Sequence, residues 1–264
     1  MQEIRVSSWG ELHERLYEGS WQEELGRFRS DFAYRGEAEG PSNLVTSLAR
    51  LGGDYPALEN HLLRNFRRYA RRRAVPDDTV WNWLTVGKHH GLPTRLLDWS
   101  HSPLVALHFA TANVDRLACD AVVWRVNYVK AHTLLPDRLK RQLVEEGSNV
   151  FTVEMLDEVA SSLQELDELT REEAVLFFEP PALDDRIVNQ YALFSLMSRA
   201  NGQLRHWLER RPELGERIVV PAELRWEVRD KLDQANVTER VLFPGLDGLS
   251  AWLARYYAPR HHAT

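Results

Sequence analysis

KHHGLPTRLLDWSHSPLVALHFA, residues 88–110, is the densest run of chemistry-bearing side chains in the chain. Its first fifteen positions hold Lys88, His89, His90, Thr94, Arg95, Asp98, Ser100, His101 and Ser102. Gly91 and Pro93 impose an irregular backbone among them, and irregular segments held by regular neighbours are where sites are commonly built. Residues 101–114 then read as an apolar helix with Pro103 in its first turn, where a missing N–H costs nothing. The same letters also fit a capped helix–loop–helix, with Asp98 and Ser100 as caps, Arg95 paired to Asp98, and His89 and His90 at a helix end against its dipole. The residues alone leave both readings open.

Upstream of this stretch the pattern is mainly helical. Ser8, followed three residues later by Glu11, reads as the N-cap of a helix running to Phe28. Residues 31–36 (DFAYRG) read as a short buried strand ending in Arg-Gly, and 56–73 and 77–90 as helices. Downstream, strands are expected at 121–129, 174–179, 191–197 and 216–220, and helices at 134–146, 203–210, 221–235 and 246–257. The acidic stretch 152–173 carries leucines at helical spacing and reads as an amphipathic helix packed on the core. No Pro/Gly/Ser-rich seam divides the chain. The expectation is one α+β domain over 1–264, with a helical part to about residue 115 and a strand-rich part from about 116.

Composition narrows the function classes. The 264 residues are 44% hydrophobic and carry a formal charge of −6, which excludes a globally basic nucleic-acid coat but not a local basic patch. A single cysteine, Cys119, excludes a disulfide framework and a multi-cysteine zinc site, and reads as a small core residue. No run reaches the length of a membrane span, and the polar N-terminus lacks the apolar core of a signal peptide, so a cytoplasmic location without membrane partners is expected. Of 33 basic side chains only Lys88, Lys130, Lys140 and Lys231 are lysines. That skew fits either codon bias or a use for the guanidinium fork. Adjacent His89 and His90 face different sides of a helix, and no metal-ligand spacing exists, so no metal is expected.

The 88–110 stretch closely resembles the signature of the FRG-domain family, named for a Phe-Arg-Gly motif that stands here as Tyr34-Arg35-Gly36. Arg186-Ile187 with Asn189-Gln190 and Phe194, and VTERVLFPGLDGLSAWL at 237–253, also fit the pattern, so the resemblance runs from about 31 to 257. It implies distant kinship with ADP-ribosyltransferases, whose split antiparallel sheet binds NAD in a central cleft. On that basis Arg35, flanked by Tyr34 and Gly36, would hold the NAD diphosphate or nicotinamide ribose. Thr94 and Arg95 would lie near the nicotinamide, His89 or His90 at the rim, and Gln190 where many transferases carry an essential glutamate. Cleaving the glycosidic bond develops positive charge on the ribose, which a carboxylate stabilises. Glutamine can still orient a hydroxyl but brings no charge, so either the carboxylate would come from Asp98, Glu179, Asp184 or Asp185, or catalysis would be modest, or the fold would bind without reacting.

The function implied is an NAD-dependent transfer of ADP-ribose to RNA, DNA or protein by a bacterial toxin or antiphage defence effector, with an inhibitor or antitoxin as partner. Arg64, Arg67, Arg68, Arg71 and Arg72 recur on one helical face with Phe66 and Tyr69 interleaved, which suits either a phosphate backbone or a solvated surface. Two other readings stay open. One is a nucleotide- or nucleic-acid-binding module without turnover; the other is a metal-independent ribonuclease using His89 or His90 with Lys88.

Overall fold

The computed structural model describes residues 1–40, 43–70, 75–170 and 172–259. Nine strands form among them: β1 Gln2–Arg5, β2 Trp21–Gln22, β3 Arg27–Phe28, β4 Phe32–Ala38, β5 Leu97–Ser100, β6 Ala121–Asn127, β7 Val175–Phe178, β8 Ala192–Met197 and β9 Gly215–Val220. Seven make one sheet in the order β1-β9-β6-β4-β5-β8-β7; β2 and β3 pair separately. Every neighbouring pair is antiparallel except β1 with β9. The architecture is α+β. Its sheet draws strands from both halves of the chain, so helices and strands are not divided near residue 115 as the pattern of residues suggests.

Strand β6 shows why the sheet is central. All seven of its residues are buried, because helices cover both faces and alternation with polar residues is not needed. Val122, Trp124 and Val126 pack with Trp207 and Leu208 on one face; Val123 packs with Leu12, Leu107 and Val228 on the other. Strand β4 pairs with β6 over its full length, from Phe32↔Asn127 to Ala38↔Ala121. On its other side β4 meets β5 only at Tyr34↔Ser100. Beyond that pair the two strands part, and the sheet opens along a seam.

Several expected elements are shorter, for local reasons. The first helix is Trp9–Tyr17, with the Ser8 hydroxyl accepting from the Glu11 N–H as expected. It ends before Gly19 (φ 68°), and residues up to Phe28 form the β2–β3 hairpin with Gly26 (φ 58°) between its strands. The acidic stretch is two helices, Val153–Val159 and Leu163–Leu169, separated where Ser162 caps the second. Their buried Leu156, Leu163 and Leu166 place them on the core. Cys119 is exposed rather than core. Among the described residues no helix is long and apolar enough to cross a membrane.

The arginine excess has a structural use. Arg95, Arg125, Arg225, Arg229 and Arg255 are all buried. Arg225 donates to the carbonyls of Ala110 (2.8 Å) and Cys119 (2.7 Å), capping the helix Pro103–Thr111. Arg229 donates to His108 Nδ1 (3.1 Å), while Arg255 binds Glu239 (2.6 Å) and Asp233 (2.5 Å), anchoring the C-terminal helices. A lysine has neither the fork nor the reach to serve several acceptors in this way.

Buried histidines make the fold acid-sensitive. His132 donates from Nδ1 to Asn149 O (2.9 Å) and accepts at Nε2 from the Phe177 N–H (2.9 Å), so both nitrogens are used by the neutral ring. Burial holds its pKa at about 4. A depressed base binds its proton more readily in the unfolded chain, so stability is complete above about pH 6.5 and falls as pH drops toward 4. Unfolding in urea should show about 2 kcal/mol less stability from His132 alone at pH 5 than at pH 7.5. A His132→Asn variant that kept the full pH slope would refute this assignment.

Candidate active-site cleft

A cleft of about 440 Å³ occupies the seam between β4 and β5. Tyr34, Arg35 and Gly36 of β4 face Asp98, Trp99 and Ser100 of β5 across it. Lys88 and His89, at the end of the helix Val80–His89, close one side; Arg186, Ile187 and Gln190, on or just after the helix Asp185–Asn189, close another, with Phe109 and Phe194 supplying apolar wall. Gly36 allows the roof to come down. A Cβ there would sit 1.6 Å from the Ala106 carbonyl oxygen, so the helix Pro103–Thr111 rests directly on the strand backbone.

Arg35 spans the seam. Its Nη1 donates to the Asp98 carbonyl (2.6 Å), supplying a partner where the β4–β5 ladder has lapsed. Its Nε and Nη2 donate to Glu37 Oε1 at 3.0 and 2.8 Å. Glu37 Oε2 in turn accepts from the Leu44 N–H and the Trp124 indole, both at 3.1 Å. The guanidinium is therefore fixed in place and largely neutralised from behind. Asp98 projects its carboxylate into the cleft, 2.6 Å from Lys88 Nζ and 3.8 Å from Arg35 Nη1. His89 Nε2 lies 2.9 Å from Asp184.

Of the residues expected to act together, Tyr34, Arg35, Gly36, His89, Asp98 and Gln190 do line one cleft. Two of them are committed elsewhere. The Tyr34 hydroxyl donates to Leu16 O (2.8 Å), and the Gln190 amide donates to Leu242 O (2.9 Å). His90, Thr94 and Arg95 do not line the cleft. His90 is exposed just past its helix with its ring against His89 (5.1 Å). Thr94 is buried and exchanges hydrogen bonds with Ser47. Arg95 precedes β5 and turns away from the cleft, where its Nε sits 2.9 and 2.8 Å from the Glu59 carboxylate oxygens and its Nη1 2.8 Å from Asp167. It pairs with Glu59 and not with Asp98, because the strand begins only at Leu97.

The basic helix face is partly present. Arg64, Arg67 and Arg68 are exposed on the helix Tyr55–Tyr69, and Arg67 is paired to Asp78 (2.9 Å). Arg71 and Arg72 lie outside the described residues. Among the described residues no group of three His, Cys, Asp or Glu could hold a metal ion.

Sequence reasoning passed over two contributors and gave a third, Lys88, a role only beside His89 or His90 in the ribonuclease reading. Arg186 stood in a quoted motif without a role. Glu37 could have been found from strand periodicity, since it shares a face with Arg35 two residues away. The cleft's electrostatics follow from the set: among the described residues, the basic side chains of Arg35, Lys88 and Arg186 line it with one carboxylate, that of Asp98, in a chain of net charge −6.

No curated protein and no solved structure matches the chain. A family match covers β4, the helices Tyr55–Tyr69 and Val80–His89, β5 and the helix Pro103–Thr111, which is the part of the cleft bearing Arg35, Lys88, His89, Asp98 and Phe109. It stops short of the 186–190 and 237–253 motifs. Over residues 30–118, about a third of its length, the chain matches the family model of the FRG domain.

Proposed function

We propose that the cleft binds NAD and that the protein is an ADP-ribosyltransferase of FRG type. The observation that carries this reading is the cationic cleft at the opening of the sheet, on a net acidic chain, with apolar wall at Phe109 and Phe194 and the Asp98 carboxylate in its lining. A dinucleotide needs these features together: cations for the diphosphate, apolar surface for the rings, and a carboxylate near the ribose. The parting of β4 from β5 suits the split sheet that the FRG resemblance implies.

In the reaction, the bond between ribose C1′ and the nicotinamide nitrogen breaks and its electron pair leaves with nicotinamide. The acceptor's nucleophile then bonds to C1′ and loses its proton. Charge on the ribose is met by Asp98, because the Gln190 amide is held by Leu242. The acceptor is expected to be RNA, DNA or protein, with the exposed Arg64 and Arg68 available to a phosphate backbone. One observation favours a second reading, a nucleotide-binding module without turnover: Asp98 is already paired to Lys88 at 2.6 Å.

The test is nicotinamide release from NAD, alone and with RNA, DNA or cell lysate added. Release is expected with one of these acceptors and should fall by roughly 100-fold or more in Asp98→Asn, an exposed position where substitution leaves the fold intact. Arg35→Ala should also lose release, with circular dichroism and urea unfolding reporting how much of the loss is the seam itself. Binding of NAD without release under any condition would establish the second reading, and absence of NAD binding by folded protein would sink both.

A further inference from the structure

We propose that Arg186 is the residue that receives the anionic group of the cleft's ligand. The argument starts from what each cation lining the cleft already holds. Arg35 is bonded to Glu37 through two nitrogens and to the Asp98 carbonyl through the third. Lys88 is bonded to the Asp98 carboxylate. Arg186 is exposed and has no hydrogen bond or ion pair from its side chain among the described residues; its guanidinium lies over the Phe243 ring, 5.0 Å from the centroid.

That arrangement is prepared for an anion. An arginine held by its face on an aromatic ring keeps its edge N–H groups free, and they match the paired oxygens of a phosphate or diphosphate. The neighbouring acids do not cancel it: Asp184 is occupied by His89 (2.9 Å) and by the Ile187 N–H (3.1 Å), and Asp185 makes no ion pair with it.

Its position is also fixed. Ile187 is buried, and the side-chain amides of Asn189 and Gln190 donate to the carbonyls of Val241 (2.8 Å) and Leu242 (2.9 Å). Phe243 follows directly and packs edge-on against Phe109, a wall of the cleft, at 6.0 Å. Gln190 is thus a positioning residue: it ties the segment bearing Arg186 to the segment bearing Phe243. The ligand group assigned is the diphosphate of a nucleotide. This rests on the reading of the cleft as an NAD site, and moves the diphosphate contact from Arg35 to Arg186.

The experiment is calorimetric titration of the full chain with NAD, ADP, adenosine and inorganic pyrophosphate. Arg186→Gln should weaken NAD and ADP by roughly 10- to 100-fold, the worth of charged hydrogen bonds to one guanidinium, and leave adenosine unchanged. Arg186→Lys should restore part of the loss. Phe243→Leu, which keeps the charge and removes the stacking ring, should weaken NAD and ADP by a smaller factor than Arg186→Gln. Equal ADP affinity in wild type and Arg186→Gln would overturn the assignment while leaving NAD binding standing. Binding of ADP or pyrophosphate but not NAD, lost in Arg186→Gln, would uphold the anion site and defeat the NAD reading. No binding of any of the four would overturn both.

Discussion

Gly36→Ala should unfold or severely destabilise the protein. The added methyl would meet backbone atoms, 1.6 Å from the Ala106 oxygen and 2.7 Å from the Ala110 nitrogen, so no side-chain rotation relieves it. The helix would have to lift, yet its carbonyls are held by Arg225 and Arg229, its N-terminus is capped by Ser102, and Ala106, Leu107 and Ala110 are packed in the core. Overpacking of this kind costs at least about 3 kcal/mol, which lowers the melting temperature by roughly 6–12 °C. Differential scanning calorimetry reads the result directly. A variant melting within a degree or two of wild type would mean that the helix does not rest on β4. The glycine of the Tyr-Arg-Gly motif is then a packing requirement, and Arg35 beside it owes its place at the cleft floor to that contact.

Arg95→Ala should cost about 3–5 kcal/mol, the usual penalty for stranding one member of a buried ion pair. Arg95 and Glu59 are only 4% and 3% exposed, and the guanidinium also holds Asp167 and the Ser198 carbonyl. Its removal leaves the Glu59 carboxylate desolvated without a partner. Removing both charges, in Arg95→Met with Glu59→Leu, should recover much of the loss, because apolar replacement of a buried pair is often close to neutral. Urea unfolding of the two single variants and the double variant measures the coupling. Additive losses would show that the pair is not a unit. NAD affinity of the folded double variant should match wild type, since neither residue lines the cleft.

The contrast between Arg95 and Asp98 shows how far local reading carries. Both stand in one polar cluster, and adjacency suggests a common site. The extended backbone from Leu97 onward and the irregular segment before it send the two side chains to different partners. Arg95 finds Glu59, 36 residues upstream, and Asp98 finds Lys88 at the end of another helix. Neither partner is encoded by a spacing, because each depends on how separate helices pack. The same holds for Arg35 and Glu37: their shared face is a property of strand period, but the gap they fill exists only because β4 and β5 meet at a single register pair.

Local chemistry was sufficient for elements whose signals are self-contained. The Ser8 cap, proline in a first helical turn, and the apolar runs that became β6, β7 and β9 act over a few residues through hydrogen bonding, ring geometry and burial, whereas the cap expected at Ser100 lies in β5 and Ser102 takes that place. The residues able to bind or react, Arg35, His89, Asp98 and Gln190, were legible by type and by family motif. Tertiary structure alone decided which of them share a cleft, which cations are already neutralised, and that Arg186 is left open beside Phe243. The physical reason is that charge availability is a sum over partners brought from distant parts of the chain, and no stretch of sequence contains that sum.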